Sequence, residues 1–243
     1  MTIGIITQAR ATSTRLPAKV LLTAGGKSYL HHHLERLAQT GLPVIVATTT
    51  NPADEPIVEL STELGFPVYR GSELDVLSRF AGAIREHDLT GVVRVTSDCP
   101  LIDPAVIAEG VERYRAENAG NVYVSNCLTR TYPRGMDYEV FSAARLLQAD
   151  EVATLPVDRE HVTTYLHQNR AGDMRLVNVP WDGGDGAGYR LTLDTEDDRK
   201  LLSTLIEEFA AEKLNCAELV ALMDSHPELA ALNAHIEQKK LGE

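Results

Sequence analysis

The stretch from residue 8 to residue 19 combines cations with small hydroxyl side chains. Arg10, Arg15 and Lys19 stand there among threonines and a serine, directly after the apolar run IGIIT (3–7). Ligands of open parallel sheets bind beyond the carboxyl ends of the strands, which is where a loop leaving the first strand lies. Backbone amides and arginine forks bind phosphate oxygens. The stretch therefore predicts a site for a small anion such as a nucleoside triphosphate.

Two well-known phosphate motifs are absent from this part of the sequence. No G-x-G-x-x-G follows the first strand, and the GKS of TAGGKS (23–28) lacks the earlier glycine of a P-loop. We predict that TAGGKS forms a hairpin turn before a helix. Without further information, the three cations of the loop are equally well explained as a solvated surface.

Two aspartates follow strand-like segments elsewhere in the chain. Asp98 comes directly after GVVRVTS (91–97), and Asp194 lies near the end of YRLTLDT (189–195). Mg²⁺ is usually bound by one or two carboxylates together with phosphate oxygens. If both segments end at the edge that carries the basic loop, the two carboxylates can hold one ion. For Asp98 alone, a turn cap before Pro100 is the simpler explanation.

The composition limits the class of protein. The chain has 243 residues, a formal net charge of −12 and a pI near 5.1. This acidity argues against nucleic-acid binding, and no apolar run approaches the roughly 20 residues that span a membrane. The sequence has no visible secretory signal, and its three cysteines show no metal-ligand spacing. We therefore predict reduced thiols in a cytoplasmic protein.

Short β-branched runs alternate with helical patterns over the first half of the chain. The strand-like runs are IGIIT (3–7), PVIVATT (43–49), PVYR (67–70) and GVVRVTS (91–97). The helical patterns are residues 29–41, 54–65, 74–88 and 103–117. Because these strands are apolar along their length, they predict a mostly parallel sheet with helices on both faces. The predicted fold class is α/β and Rossmann-like.

The pattern becomes less regular after residue 118. Further strands are predicted at NVYVSN (121–126), DYEVFS (137–142), MRLVNVPW (174–181) and YRLTLDT (189–195). Residues 196 onward have helical periodicity. We therefore predict a single domain over 1–243, in which 118–190 forms a small mixed β region.

The run QARATSTRLPAKVL (8–21) resembles a known signature, Q-A-R-x-x-S-T-R-L-P-G-K-x-L. It belongs to the cytidylyltransferases related to spore coat polysaccharide biosynthesis protein F; the cytidylyltransferases that activate Kdo and sialic acid carry a similar loop. The resemblance implies a fold of the nucleotide-diphospho-sugar transferase type, CTP as substrate, Mg²⁺ as cofactor and release of pyrophosphate. Ala18 replaces the family's glycine, which the backbone tolerates if φ is negative.

The resemblance also assigns residues that contact the nucleotide. RVTSDCPLIDP (94–104) resembles the family's T-G-D-C-P-L-I-D-P, with Ser97 in place of the glycine. The implied nucleotide-binding residues of these two segments are Gln8, Ala9, Arg10, Ser13, Thr14, Arg15, Lys19, Thr96 and Ser97.

A third segment, LTLDTEDD (191–198), resembles the family's L-T-V-D-T-x-E-D. The resemblance implies that Asp98 and Asp194 are the metal ligands, which outweighs the turn-cap explanation of Asp98. Together with Arg15 and Lys19 they are the implied catalytic residues. The implied reaction needs no protein nucleophile, because an acceptor oxygen attacks the α-phosphorus directly.

Candidate base contacts come from VYRGSELDVLSRF (68–80). The corresponding segment of the sialic-acid-activating relatives lies near cytosine, which makes Arg70 and Ser78 the candidates to contact the base. The alternative is that Asp75 charges the start of a helix and Arg79 is a surface residue.

Candidate acceptor contacts come from TYPRGMDYEVF (131–141) and DREHVTTYLHQN (158–169), which resemble two further family segments. Asp137 and Glu139 occupy positions i and i+2 of a predicted strand, on one face, and suit sugar hydroxyls. Arg159 and His161 suit an acceptor carboxylate, although a lone histidine is more often structural.

The resemblance further implies a homodimer. The region 118–190 would serve acceptor binding and dimerisation, and Tyr123, Tyr132 and Tyr138 are predicted to be exposed there. The predicted partners are thus CTP, a small-molecule acceptor and a second copy of the chain, with no nucleic acid and no membrane.

Three alternative functions stay open at this point. A related sugar-phosphate nucleotidyltransferase would use GTP, UTP or dTTP. A nucleotide-sugar-dependent glycosyltransferase would carry a D-x-D motif after a central strand, and SDCPLID spaces its acids too widely. A non-catalytic nucleotide-binding regulator would not need both aspartates with Arg15 and Lys19. The acceptor itself is open among nonulosonic acids, other sugars, sugar phosphates and phosphonates.

Overall fold

The structure, a computed structural model, describes residues 2–237. Met1 and residues 238–243, which the single-domain prediction includes, lie outside the described residues. The strands are β1 (Ile3–Gln8), β2 (Thr23–Ala24), β3 (Lys27–Ser28), β4 (Val44–Thr49), β5 (Val68–Gly71), β6 (Gly91–Thr96), β7 (Val122–Ser125), β8 (Glu139–Ser142) and β9 (Arg175–Asn178). The helices are α1 (Tyr29–Ala38), α2 (Glu55–Glu63), α3 (Val76–Glu86), α4 (Pro104–Glu117), α5 (Ala143–Val152), α6 (Pro156–His161), α7 (Thr164–His167), α8 (Glu196–Phe209), α9 (Cys216–Ser225) and α10 (Pro227–Ala231).

The main sheet has seven strands in the order β5-β4-β1-β6-β8-β7-β9. The strands β5, β4, β1 and β6 are parallel, β8 pairs antiparallel with both β6 and β7, and β9 is parallel to β7. The predicted α/β class with a mostly parallel sheet is therefore confirmed. The strands of the region 118–190 extend this sheet, and β2 and β3 form the predicted hairpin.

Helices cover both faces of the sheet, as predicted. Ile5 and Ile6 of β1 are fully buried, but they belong to two different apolar cores. Because successive side chains of a strand point to opposite faces, Ile5 packs in the core that includes Leu34 of α1, and Ile6 in the core that includes Phe80 of α3. Within residues 2–237, no helix is both long and apolar enough to cross a bilayer.

The predicted strand at 189–195 is not a regular strand. Its main chain forms a single parallel bridge, between Arg134 and Arg190. Leu191 then donates to the carbonyl oxygen of Arg134, whereas Leu193 donates to that of Asp98. The segment thus spans two separate pieces of backbone instead of following one neighbouring strand, and no ladder forms.

The tyrosines predicted to be exposed are buried, so this prediction is wrong. Tyr123, Tyr132 and Tyr138 are at most 2% exposed. Tyr132 and Tyr138 belong to the core on one face, where the Tyr132 hydroxyl donates to Glu109 of α4, and Tyr123 stacks on Phe141 in the core on the other face. The tyrosines therefore lend no support to a homodimer.

Candidate active site

The basic loop leaves β1 at Gln8 and is closed by its own backbone. The N–H of Ala18 donates to the carbonyl oxygen of Ala11 at 2.8 Å. The N–H of Ala11 donates to the Asp54 carboxylate at 2.7 Å, and Asp54 is itself buried and accepts bonds from Thr49. A buried carboxylate just before α2, bonded to the end of β4, therefore anchors the loop to the sheet.

Ala18 adopts a left-handed conformation, with φ 51° and ψ 27°. The condition under which alanine would be tolerated without strain, a negative φ, is therefore not met. The residue begins the short 3₁₀ helix Lys19–Leu21, and this sharp change of direction requires the positive φ. A non-glycine residue with left-handed backbone angles costs about 1–2 kcal/mol of folding free energy. The loop therefore keeps the backbone shape that glycine would favour, and the alanine makes the protein less stable.

Lys19 lies between the two predicted metal ligands. Its Nζ atom is 2.9 Å from Asp98 Oδ2 and 2.7 Å from Asp194 Oδ1. Burial by itself would raise the pKa of Asp98, but the Lys19 ammonium together with hydrogen bonds from Thr96 and Cys99 outweighs burial and holds that pKa well below its usual range. The two carboxylates correspondingly hold the pKa of Lys19 above its usual value against the effect of burial.

Asp194 is also bound by two arginines. Its Oδ2 atom lies 3.2 Å from Arg15 and 2.7 Å from Arg190. Arg190 also binds the buried Asp198, which closes a capping box with Thr195 at the start of α8. The orientation of Asp194 is therefore set by the helix that follows it.

A buried histidine supports the segment that carries Asp98. His33 of α1 donates from Nδ1 to the carbonyl oxygen of Cys99 at 2.8 Å, because a carbonyl can only accept. Its Nε2 atom then accepts from the hydroxyl of Thr7 at 2.9 Å. Burial lowers the pKa of His33 to about 4, so the ring is neutral near pH 7.

Asp98 and Asp194 suit a magnesium ion. Their oxygens converge on one point, marked by Lys19 Nζ, and carboxylate oxygens are the ligands that Mg²⁺ prefers. Within residues 2–237 there is no cluster of three or more His, Cys, Asp or Glu side chains that could hold a metal. A metal at this point would therefore take its remaining ligands from substrate phosphates and water.

A large cavity of about 570 Å³ opens beside the basic loop. Its lining includes Gln8, Ala9, Arg10, Asp75, Arg79, Arg159 and His161. Arg70 and Ser78, the candidate base contacts, are not in this lining: Arg70 pairs with Glu55 at 2.6 Å, and the Ser78 hydroxyl donates to the carbonyl oxygen of Asp75. Their contact with a base stays a prediction.

A small cavity of about 200 Å³ lies where β6 meets β8. Its lining includes Arg94, Thr96, Cys127, Arg130, Asp137 and Glu139. Arg130 binds Asp137 with two hydrogen bonds of 2.5 and 2.8 Å, and Arg94 binds Glu139 at 2.5 Å. Burial alone would raise the pKa of Glu139, but Arg94 and its hydrogen bonds lower it.

The structure thus divides the predicted acceptor contacts between two cavities. Asp137 and Glu139 line the small cavity, whereas Arg159 and His161 line the large one. Arg159 is also held by ion pairs with Asp75 at 2.5 Å and with Asp150 at 2.9 Å.

The remaining predicted nucleotide contacts lie on or near the loop. The Ser97 hydroxyl donates to the carbonyl oxygen of Gln8 at 2.6 Å, and Thr96 lines the small cavity. Ser13 is half-buried and Thr14 is exposed.

Sequence reasoning missed several residues that shape the site. They are Asp54, Arg94, Arg130, Arg190 and Asp198. Arg94, Arg190 and Asp198 had a usable signal, because they lie in the segments 94–104 and 189–198 that the sequence had already singled out.

The fold is that of the α/β nucleotidyltransferases. A family model described as cytidylyltransferase matches residues 3–234. The chain therefore belongs to the cytidylyltransferase family, as the loop signature predicted.

Two relatives match this chain over nearly its whole length. An uncharacterized protein of Methanocaldococcus jannaschii is 36% identical over 99% of this chain and 98% of its own length. Spore coat polysaccharide biosynthesis protein SpsF of Bacillus subtilis is 29% identical over 93% of this chain and 95% of its own length.

Solved structures show the same fold. A cytidylyltransferase from Leptospira borgpetersenii superposes with a TM-score of 0.90 and is 31% identical, covering 99% of this chain and 100% of that chain. CMP:2-keto-3-deoxy-manno-octonic acid synthetase complexed with CTP superposes with a TM-score of 0.61 at 18% identity, covering 85% of this chain and 98% of that one. The second likeness concerns the fold alone.

Proposed function

We propose that this cytidylyltransferase uses CTP to activate a sugar acid or a related small acceptor as its CMP or CDP derivative. The observation that carries the proposal is the convergence of Lys19 of the basic loop with Asp98 and Asp194. A site with a loop cation beside two carboxylates suits a nucleoside triphosphate and a divalent metal. The names of two relatives, a cytidylyltransferase and a spore coat polysaccharide biosynthesis protein, support a cytidine nucleotide and cell-surface glycan synthesis.

Residues of the chain position the triphosphate and neutralise its charge. We assign Arg10, Arg15 and Lys19 to the triphosphate, because all three are cations of the loop that leaves β1. An acceptor oxygen attacks the α-phosphorus in line and forms a new O–P bond, the bond to the leaving pyrophosphate breaks, and an acceptor hydroxyl gives up its proton to water. Arg15 and Lys19 neutralise the charge that develops on pyrophosphate. Catalysis is then mostly positioning plus electrostatic stabilisation.

Asp98 and Asp194 are the residues that would hold Mg²⁺. A bound ion would supply charge neutralisation for the phosphoryl transfer. In the structure Lys19 lies between the two carboxylates, so the ammonium would have to move toward the phosphates when a metal is bound.

The acceptor is assigned to the small cavity beside β6. Asp137 and Glu139 line it and offer carboxylate oxygens to sugar hydroxyls. Both carboxylates are fixed by arginines, which orients them before a substrate binds. Arg159 and His161 remain proposed acceptor contacts from the large cavity, and Arg70 and Ser78 remain the proposed base contacts.

The test is pyrophosphate release in the presence of Mg²⁺ and a panel of acceptors, compared among CTP, UTP, GTP and dTTP. The panel contains nonulosonic acids, neutral sugars, sugar phosphates and phosphonates. We expect CTP to be preferred by about tenfold or more, because losing a hydrogen bond to a buried polar group costs about 1–3 kcal/mol. Equal rates with all four nucleotides would refute the CTP assignment and favour a broader sugar-phosphate nucleotidyltransferase. Transfer of sugar from a nucleotide sugar, without pyrophosphate, would instead indicate a glycosyltransferase.

A further inference from the structure

The guanidinium of Arg134 forms no ion pair, whereas most of the described arginines do. Among residues 2–237, the arginines that form no ion pair are Arg10, Arg36, Arg79 and Arg134. Arg36 and Arg79 donate to backbone carbonyl oxygens, and Arg10 lines the large cavity. Arg134 is half-buried, and its guanidinium forms no hydrogen bond with any described residue. An unpaired, half-buried cation stands out in a chain with a net charge of −12.

The backbone of Arg134 is fixed by the segment that leads to Asp194. Its N–H donates to the carbonyl oxygen of Tyr189 at 2.9 Å, and its own carbonyl oxygen accepts from Leu191 at 2.8 Å. The next residue, Gly135, has φ 103°, and a Cβ there would lie 2.7 Å from the carbonyl oxygen of Leu191. Only glycine permits this close approach, so Arg134 projects from a rigid point of the chain.

Arg134 lies close enough to Arg130 and Asp137, which line the small cavity, for their charges to act on its guanidinium, and Arg190 also acts on it. Arg134 and Arg190 are partners in a parallel bridge, so their side chains leave the same face of the backbone. Arg190 is neutralised by Asp194 at 2.7 Å. Arg130 is neutralised by its two bonds to Asp137 in the small cavity. Arg134 is the member of this group of arginines that no described carboxylate neutralises.

The surroundings make an anion favourable at this point. Burial and the neighbouring charges of Arg130 and Arg190 lower the pKa of Arg134, and Asp137 offsets this only in part. Like charges and partial burial both disfavour the charged guanidinium, and an added anion removes that penalty. The planar fork of arginine can bind a carboxylate or phosphate through two parallel hydrogen bonds.

We propose that Arg134 binds an anionic oxygen group of the acceptor, a carboxylate or a phosphate, and so selects charged acceptors over neutral ones. The inference rests on the proposed function, because it takes the small cavity as the acceptor site. It adds a specificity-determining residue to that site. Asp137 and Glu139 would contact hydroxyl groups of the same molecule from inside the small cavity.

Calorimetry with three probes tests the inference without any turnover. The probes are 3-deoxy-manno-octulosonate for a carboxylate, glucose 1-phosphate for a phosphate, and mannose as a neutral sugar. We expect at least one anionic probe to bind the unmodified protein. Its affinity for Arg134→Gln should be lower by about tenfold or more, because the substitution removes a hydrogen bond to a charged group. Arg134→Lys should recover part of the affinity, and the carboxylate and phosphate arms show which anion is preferred.

Arg113→Gln provides the matched control. Arg113 lies in α4, pairs with Glu117 at 2.8 Å and lines none of the cavities near the site or on α4, so its loss should leave all affinities unchanged. Thermal unfolding confirms that Arg134→Gln is folded. Equal affinity of Arg134→Gln and the unmodified protein for the anionic probes overturns the inference, and so does the failure of both anionic probes to bind.

Steady-state kinetics separates this inference from the proposed function. With an anionic acceptor, Arg134→Gln should raise the KM for that acceptor about tenfold, and leave the KM for CTP and kcat within about twofold. If the anion binds through Arg134 but no pyrophosphate is released from CTP, the proposed function fails and the anion site stands. If CTP-dependent release occurs and Arg134→Gln leaves the acceptor KM unchanged, the function stands and the inference fails.

Discussion

The backbone N–H of Leu193 donates a hydrogen bond of 2.8 Å to the carbonyl oxygen of Asp98. This bond joins the segment after β6 to the segment before α8. The side chains of Asp98 and Asp194 are therefore held side by side by main-chain atoms, and a substitution of either carboxylate leaves that link intact. The charge of the site can thus be changed separately from its geometry.

Asp98→Asn should abolish most of the activity while the fold survives. The substitution keeps size and shape but removes the charge that would hold the metal. We expect turnover to fall about 100-fold or more, because the site loses several kcal/mol of electrostatic stabilisation in the transition state. The measurement is turnover against Mg²⁺ concentration.

The comparison with Asp194 sharpens this prediction. Asp194→Asn should behave alike, and the double variant should be little worse than either single one, because both residues act through one ion. Asp182→Asn, in the exposed loop after Trp181, is the control and should keep full activity. Unchanged turnover and metal dependence in Asp98→Asn would show that the metal site is misplaced.

Lys19→Met should make stability depend on Mg²⁺. Without the ammonium, two neighbouring carboxylates repel each other and one of them is left unpaired, which costs about 3–5 kcal/mol for buried pairs and less for partly exposed ones. Mg²⁺ should restore much of this loss, seen as a larger rise of the Tm than in the unmodified protein. Lys27→Met, which removes an exposed pair with Glu35, should show no such metal effect. A Tm of Lys19→Met that does not respond to Mg²⁺ contradicts the prediction.

Ala18→Gly should stabilise the protein slightly. Glycine removes about 1–2 kcal/mol of left-handed strain and adds about 0.5–1 kcal/mol of unfolded-state entropy, so the net gain is about 1 kcal/mol or less. Differential scanning calorimetry should show a rise of the Tm of about 2 °C. Ala108→Gly, at an exposed position inside α4, should lower the Tm because its φ is already helical. If both variants lower the Tm, the backbone strain at Ala18 is not the controlling factor.

His33 should make the protein acid-sensitive. Its folded pKa of about 4 is below the unfolded value of 6.5, so the unfolded state takes up the proton first as the pH falls. Stability is intact above pH 6.5 and decreases progressively toward pH 4, by about 3 kcal/mol in total. Urea unfolding of the unmodified protein and of His33→Gln should show a smaller decrease over this window in the variant. The exposed His235→Gln should behave like the unmodified protein, and an equal decrease in all three would contradict the assignment.

A homodimer remains a prediction from the family resemblance. The buried tyrosines do not support it, but β9 lies at the edge of the sheet and its Leu176 is 40% exposed. We expect sedimentation to show a dimer at micromolar concentration and Leu176→Lys to shift it toward the monomer. Val152→Lys on α5 serves as the control. A fully active protein that sediments only as a monomer would contradict the prediction.

The parallel half of the fold could be predicted because its signals are local. The apolar runs at β1, β4 and β6 and the helical periods between them are properties of consecutive residues. The pairing of Asp98 with Asp194 could also be predicted, because each lies at the end of a strand-like segment and within a family motif. The hairpin at residues 23–28 followed from its two glycines in the same way.

The remaining features depend on distant parts of the chain. Asp54 anchors the loop through Ala11, 43 residues away in sequence, and nothing near Asp54 signals this contact. The positive φ of Ala18 is imposed by loop closure, against the preference of the residue. Tyr138 resembles an exposed aromatic in an alternating strand until α4 is known to cover it with Gly110, where a Cβ would lie 2.1 Å from the tyrosine ring.

The change of strand direction between β6 and β8 separates the proposed triphosphate loop from the small cavity proposed for the acceptor. The parallel strands β5, β4, β1 and β6 bear the nucleotide loop and its anchor, whereas the antiparallel β8 and the connection 126–138 shape the small cavity. Insertions or exchanges in that connection would alter the acceptor pocket while the triphosphate site keeps its own supports. If the proposed sites are right, grafting residues 126–138 from another family member is a route to new acceptors with the proposed CTP site unchanged.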